Sequence, residues 1–340
     1  MYDFYSDTKT KPSEAMRRTV LDCDVGDEQK DEDPTTTKLC SKVAELLGKE
    51  KALLLPSGTM CNEIAINIHT NPGDEIICEQ SCHIINFETG APAFISGVMI
   101  KALEGKNGIF DHEQVANSIR NPSRYDPRTS LLCVEQTSNM SGGTIWPLDK
   151  LNAVSSVAKK SGIRTHMDGA RLLNACVKTG IDASVYAENF DSVWLDFSKG
   201  LGAPVGAVLA GSSEFILKAW RVKQQLGGAM RQSGIIASMC IYALENNVER
   251  LSEDHKLATF LGKEIGKLGL VQRVLPVETN IIIFDLSPQA IRAPILAQKL
   301  IDNGIKIGSF GDHRIRVVTH LDVNYEAGKR LIDCLRDYLS

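Results

Sequence analysis

The run Ser192-Val-Trp-Leu-Asp-Phe-Ser-Lys-Gly-Leu-Gly-Ala-Pro-Val-Gly206 decides the fold, read together with the earlier Thr165-His-Met-Asp-Gly-Ala-Arg171. Each begins as a short apolar strand and ends in polar chemistry, Ser198-Lys199-Gly200 in one and Asp168-Gly169 in the other. Parallel strands deliver the residues at their carboxyl ends to one crevice. The two runs therefore predict an amine and a carboxylate in the same site. Most lysines are solvated surface residues, but Lys199 follows an apolar stretch and precedes Gly200, Gly202 and Gly206, which argues against an ordinary surface. Asp168 before a glycine could equally be a turn or cap acid if it stood alone.

Working outward, apolar runs of strand length alternate with segments of helical period. Strands are predicted at Ala52–Pro56, Glu75–Cys78, Ser130–Val134, Arg164–Asp168, Asp191–Leu195 and Ala207–Gly211, with helices over Thr59–His69 and Leu148–Ser161. This alternation implies an α/β fold, a mainly parallel sheet covered on both faces. After a helical region from Ile235 to Leu268, strands at Asn280–Phe284, Ile305–Ile307 and Ile315–Val318 predict a smaller α+β domain. No Pro/Gly/Ser-rich tract intervenes, so a long helix rather than a flexible linker joins the parts. The division expected is 1–245 for a large domain and 246–340 for a small C-terminal one.

Composition narrows the function classes. The 340 residues are 43% hydrophobic and 24% charged, as in ordinary globular proteins. A net charge of −4 offers no general attraction to nucleic acid or to an anionic membrane, so a small-molecule partner is expected. No stretch reaches the ~18 apolar residues of a membrane span. Nine cysteines form no paired framework, and Cys78 and Cys82 make a poor metal pair, which points to reduced thiols, a cytoplasmic location and no metal.

The paired amine and acid are the requirements of pyridoxal phosphate. Its aldehyde must be held as a Schiff base by a lysine, and its ring accepts electrons only while a buried acid keeps the ring nitrogen protonated. Lys199 and Asp168 fit those roles. Pro56-Ser-Gly-Thr-Met-Cys-Asn62 follows a strand and opens a helix, where Ser57, Gly58 and Thr59 could cradle the phosphate, although a plain helix cap reads the same way. His83 could stack on the ring and move protons, or be structural. Arg171, three residues past Asp168, could hold a substrate carboxylate in a fork, with Arg316 a second candidate.

From Ser6-Asp-Thr8 to Val318-Thr-His320 the chain resembles the low-specificity L-threonine aldolase family of fold type I pyridoxal-phosphate enzymes. The resemblance rests on Val25-Gly-Asp27, Glu32-Asp-Pro34, Pro56-Ser-Gly-Thr59, His83 with Glu88, His166-Met-Asp-Gly-Ala-Arg171, Ser198 to Gly206 and Leu226-Gly-Gly-Ala-Met-Arg-Gln232. It implies a seven-stranded, mainly parallel sheet. It also implies that Lys199 binds the cofactor covalently, Asp168 pairs with the ring nitrogen, His83 stacks on the ring, and Ser57, Gly58 and Thr59 hold the phosphate. Ser6, Arg171 and Arg316 become the carboxylate-binding set, and Arg231 reaches the site from a neighbouring subunit of a homodimer or homotetramer. The implied reaction is cleavage of L-threonine, L-allo-threonine or related L-3-hydroxy-α-amino acids to glycine and an aldehyde, with His83 as base. Three departures bear on the substrate's side chain. Glu135-Gln-Thr-Ser138 puts Ser138 where the family has a second histidine, Glu28-Gln-Lys-Asp31 loses a tyrosine, and Lys223-Gln224 replaces Arg-Lys. A bulkier substrate such as phenylserine, cleaved or β-eliminated, is the alternative.

Overall fold

The computed structural model describes residues 1–340. Its strands are β1 (Tyr2–Asp3), β2 (Lys51–Leu55), β3 (Glu75–Glu79), β4 (Met99–Leu103), β5 (Thr129–Glu135), β6 (Arg164–Gly169), β7 (Ser192–Asp196), β8 (Ala207–Gly211), β9 (Val271–Val274), β10 (Ile281–Leu286), β11 (Ile305–Lys306), β12 (Gly308–Phe310) and β13 (Arg314–Val318). Seven form one sheet in the order β2-β8-β7-β6-β5-β3-β4. All neighbours are parallel except β8, which runs against both β2 and β7. This is the mainly parallel α/β sheet that the alternation predicts. Every residue of β3, β5, β7 and β8 is buried, which is why these strands read as unbroken apolar runs. The edge strand β4, Met-Ile-Lys-Ala-Leu, is half-exposed and carries Lys101, so it lacks that signature and went unpredicted.

A second sheet, β12-β13-β10-β9, is antiparallel throughout. Its core includes Phe284, Leu257, Leu335 and also Phe4, since the first strand of the chain pairs in parallel with β11. The N-terminal segment thus packs on the C-terminal part of the chain and then crosses to the large sheet. The helical region predicted from Ile235 to Leu268 is two helices, Gly234–Asn246 and Leu251–Ile265. Between them Asn247 donates its amide to the Leu201 carbonyl at 2.7 Å, a bond to the glycine run after Lys199 that an unbroken helix would not supply.

The helix Gly58–His69 lies against the large sheet, with Ile64, Ala65 and Ile66 wholly buried. Ser57 caps it by accepting from the Met60 amide at 3.3 Å. Its buried positions also include Asn62 and Glu63, polar residues that an ordinary core-facing helix would not place there.

Candidate active site

The carboxyl ends of β2, β5, β6 and β7 open into one cavity of ≈ 410 Å³, within the range of small-molecule sites. Phe310 and Arg316 close it from the second sheet, and Tyr5, Ser6 and Thr8 from the N-terminal segment. Lys199 sits just past β7 on this wall. Thr10 donates to the Lys199 carbonyl at 2.8 Å and so fixes the backbone that carries the amine. Lys199 Nζ lies 2.8 Å from Asp196, whose other oxygen accepts from the backbone and hydroxyl of Ser198.

Asp168 lies at the carboxyl end of β6, one residue before its last, and lines the cavity, where it is buried. Burial pushes its carboxyl above the usual range, while the neighbouring His83 and Lys199 and a hydrogen bond from Asn62 pull it back. Beside it in the sheet lies Glu135, the last residue of β5. Burial first and the Asp168 charge second raise Glu135 well above the ordinary glutamate value, and its Oε2 has no partner. Each of the two acids, in adjacent register, disfavours ionisation of the other.

His83 opens the short helix His83–Asn86. Its Nδ1 is 2.7 Å from Glu88 Oε1, which also accepts from Asn62 at 2.7 Å. A carboxylate can only accept, so Nδ1 carries a proton and donates it to Glu88. Behind Glu88, burial together with the Glu88 charge pushes Glu63 up to about 9. One proton shared between Glu63 and Glu88 accounts for two of the three oxygens of this pair that otherwise have no donor.

The turn Ser57–Thr59 borders the same cavity at the amino end of its helix, where backbone amides are free to meet an anion. A Cβ on Gly58 would come within 2.1 Å of the Trp194 indole edge, so glycine is what lets the turn close against that ring. An amine, a buried acid in line with it, an imidazole and an anion cradle are the donor set of pyridoxal phosphate, and the residues present fit that cofactor.

The two arginines differ. Arg171 is buried and makes a two-point pair with Asp7, at 2.8 and 2.7 Å. Burial would raise the Asp7 carboxyl, but the guanidinium wins and holds it well below the carboxylate range. Arg316 has no acid: it donates to Asn139 Oδ1 (3.1 Å) and the Tyr5 carbonyl (3.2 Å), and its buried Nε is unpartnered. The one carboxylate beside the two guanidiniums is taken by Arg171, and both donate to the neutral Asn139 Oδ1, which leaves the Arg316 charge facing the cavity without a counter-ion. Ser6, capping the turn Asp7–Lys9, lines the same wall.

Two residues expected in the site lie elsewhere in this chain. Ser138 is buried with its hydroxyl turned toward Gly108, because its backbone bridges to Thr144, and it does not line the cavity. Arg231 is exposed and paired with Asp27 at 2.8 Å, outside the cavity. Sequence reasoning missed Asp7, Asn62, Glu135, Asn139 and Asp196. Asp196 had a signal, an acid three residues before the lysine on the same strand end. Asn62 also had one, an amide on the apolar face of a helix.

Comparison with known proteins agrees with this geometry. Residues 3–288 match the beta-eliminating lyase family model. The low-specificity L-threonine aldolase 1 of Arabidopsis thaliana is 37% identical over 98% of this chain and 95% of its own length. The alanine racemase TOXG of Cochliobolus carbonum is 33% identical over 99% and 87% respectively. The threonine aldolase of Leishmania major superposes with a TM-score of 0.85, covering 99% of both chains at 19% identity, a likeness of fold. With the lysine, the buried acid and the anion cradle at the strand ends where that fold places a ligand, the chain belongs to the beta-eliminating lyase family, which includes the low-specificity L-threonine aldolases.

Proposed function

We propose that the protein is a pyridoxal-phosphate-dependent aldolase that cleaves L-threonine, L-allo-threonine and related L-3-hydroxy-α-amino acids to glycine and an aldehyde. The observation that carries this reading is the convergence on one cavity of Lys199, Asp168, His83 and an arginine without an acid. When bound, the cofactor supplies an aldehyde that condenses with amines and a ring that accepts an electron pair. Ser57, Gly58 and Thr59 hold its phosphate, and Asp168 keeps its ring nitrogen protonated. Arg316 and Ser6 take the substrate carboxylate, while Arg171, locked by Asp7, is the fixed wall against which it is oriented. His83, backed by Glu88, takes the β-hydroxyl proton on Nε2 as the Cα–Cβ bond breaks, and the proton returned to Cα completes glycine. Asp196, 2.8 Å from Lys199 Nζ, would hold and orient the lysine amine whenever it is free.

A bulkier substrate is the second reading, favoured by the aromatic side chains of Tyr5, Phe87 and Phe310 around the cavity. We also place the reaction in the cytoplasm, on nine cysteines that are all free thiols, and in a homodimer or homotetramer in which Arg231 serves a neighbouring site. Glycine and aldehyde release from L-threonine, L-allo-threonine, L-phenylserine and their D-forms tests the reading, beside a Lys199→Ala control and an alanine racemisation assay. Cleavage of the L-forms that is lost in the control is the expected result. Racemisation without cleavage would overturn it.

A further inference from the structure

Behind the cavity a row of polar side chains runs the length of the sheet, between it and the helix Gly58–His69. From the amino end, His69 Nε2 meets Ser192 Oγ at 2.8 Å, and Ser192 Oγ meets His166 Nδ1 at 2.8 Å. His166 Nε2 then meets Asn62 Oδ1 at 3.1 Å, and Asn62 Nδ2 reaches Asp168 at 2.9 Å and Glu88 at 2.7 Å. Local periodicity puts them in line. Asn62 and His69 stand about two helical turns apart, His166 and Asp168 share one face of β6, and Ser192 and Trp194 share one face of β7.

The direction of the hydrogens at Asn62 follows from one atom. Trp194 Nε1 can only donate, and it lies 2.8 Å from Asn62 Oδ1. The amide oxygen is therefore on that side, and the amide nitrogen faces the two carboxylates, which can only accept. His166 Nε2 meets the same oxygen and must donate to it. Burial holds both imidazoles neutral, pulling His166 down to about 3 and His69 to about 4. His166 Nδ1 is then bare and accepts from the Ser192 hydroxyl, whose oxygen accepts from His69 Nε2.

We infer that Asn62, His166, Ser192 and His69 are positioning residues for the reaction, a one-way row of donors that aims the Asn62 amide hydrogens at Asp168 and Glu88. The inference rests on the roles proposed above for Asp168 and His83. Donors aligned head to tail polarise one another, so the last pair delivers more positive potential to the carboxylates than an isolated amide would. That potential opposes the burial that would neutralise Asp168. It also fixes Glu88, which sets the tautomer of His83.

The test is made on the cofactor-loaded protein, labelled with ¹⁵N and read by long-range proton–nitrogen correlation, with His69→Gln and His166→Gln variants identifying the two rings. Both rings are expected as neutral Nε2–H tautomers from about pH 6 to 8. An Nδ1–H tautomer or a doubly protonated ring at either position overturns the row. The functional arm compares His166→Phe, which removes the donor to Asn62, with His166→Gln, which can supply one. The Phe variant is expected to bind pyridoxal phosphate about 3- to 10-fold more weakly, the loss of about one hydrogen bond, and to shift the visible band of the loaded protein. The Gln variant recovers most of both. Equal losses in the two variants with an unshifted band would reduce His166 to packing and overturn the inference. If the Phe variant does not fold, Ser192→Ala against Ser192→Thr makes the same comparison. None of these readouts requires threonine cleavage, so this reading and the aldolase reading fail separately.

Discussion

The two ends of the large sheet make an instructive contrast. At the amino end lies a cavity of ≈ 510 Å³, larger than the ≈ 410 Å³ one at the carboxyl end, and richly charged. Yet its cations are already answered. Arg164 pairs with Asp191 and Lys218 with Glu214, while Lys49 donates to the carbonyls of Ala187 and Phe190 and Lys159 to Asn189. At the carboxyl end, Arg316 Nε and Glu135 Oε2 are buried without partners, and Asp168 is held against the cost of its own burial. Volume does not distinguish the two. What marks the smaller cavity as a site is unmet hydrogen-bonding and charge, which the rest of the fold must stabilise and a ligand can satisfy.

The severest way to break this contrast is Lys199→Ala. It should abolish glycine release, by more than about 10³-fold, and remove the visible absorbance of the loaded protein while leaving the melting curve near wild type. Survival of activity would show that the chemistry lies elsewhere. Asp168→Asn keeps the shape and removes the charge, and kcat should fall by about 10²- to 10³-fold in a steady-state assay.

The arginines sharpen the contrast within the carboxyl end. Arg316→Leu removes a cation that burial disfavours, so stability should hold while KM for L-threonine rises about 10- to 100-fold, the worth of a charge-assisted bond. Arg171→Leu should instead strand the buried Asp7 and cost about 3–5 kcal/mol in denaturant unfolding. If the two variants behave alike, the distinction between an occupied and an open guanidinium is wrong.

A smaller effect is expected in the dependence of stability on pH. Glu63 keeps its proton in the fold up to about 9, whereas its ordinary value is 4.5. Between those values the folded state binds the extra proton, so this contribution is fully present below the lower value and is lost as pH rises toward the upper one. Its slope is at most about 1.4 kcal/mol per pH unit. Unfolding free energies measured across that window should fall less steeply in Glu63→Gln than in wild type. The smallest effect belongs to the amino end, where Lys218→Ala breaks only an exposed pair. Stability should change by less than about 0.5 kcal/mol, and kcat/KM should not change.

Much of this architecture is legible in the amino-acid sequence. The buried strands β3, β5, β7 and β8 declare themselves because apolar runs are a local property, and β4 does not because an edge strand is half polar. Lys199 and Asp168 can be paired because strand ends in a parallel sheet converge, whatever lies between them. Arg171 and Arg316 look equivalent as sequence. Only the return of the N-terminal segment, which brings Asp7 against one and leaves the other open, makes them different. Ser138 belongs to a segment with local signals for the site, yet its hydroxyl turns to Gly108, an orientation that distant packing decides.

The amino-acid sequence by itself determined the strand and helix alternation, the family, and the lysine, acid and phosphate turn on which the cofactor reading rests. Those follow from short-range periodicity and from residue types that few chemistries require together. The tertiary structure alone decided which charges are answered and which are not, and which way the hydrogens run through Asn62. Both depend on partners far apart in the chain, such as Asp7 with Arg171 and Asn62 with Trp194, and a buried charge or amide takes its role from what the fold sets beside it.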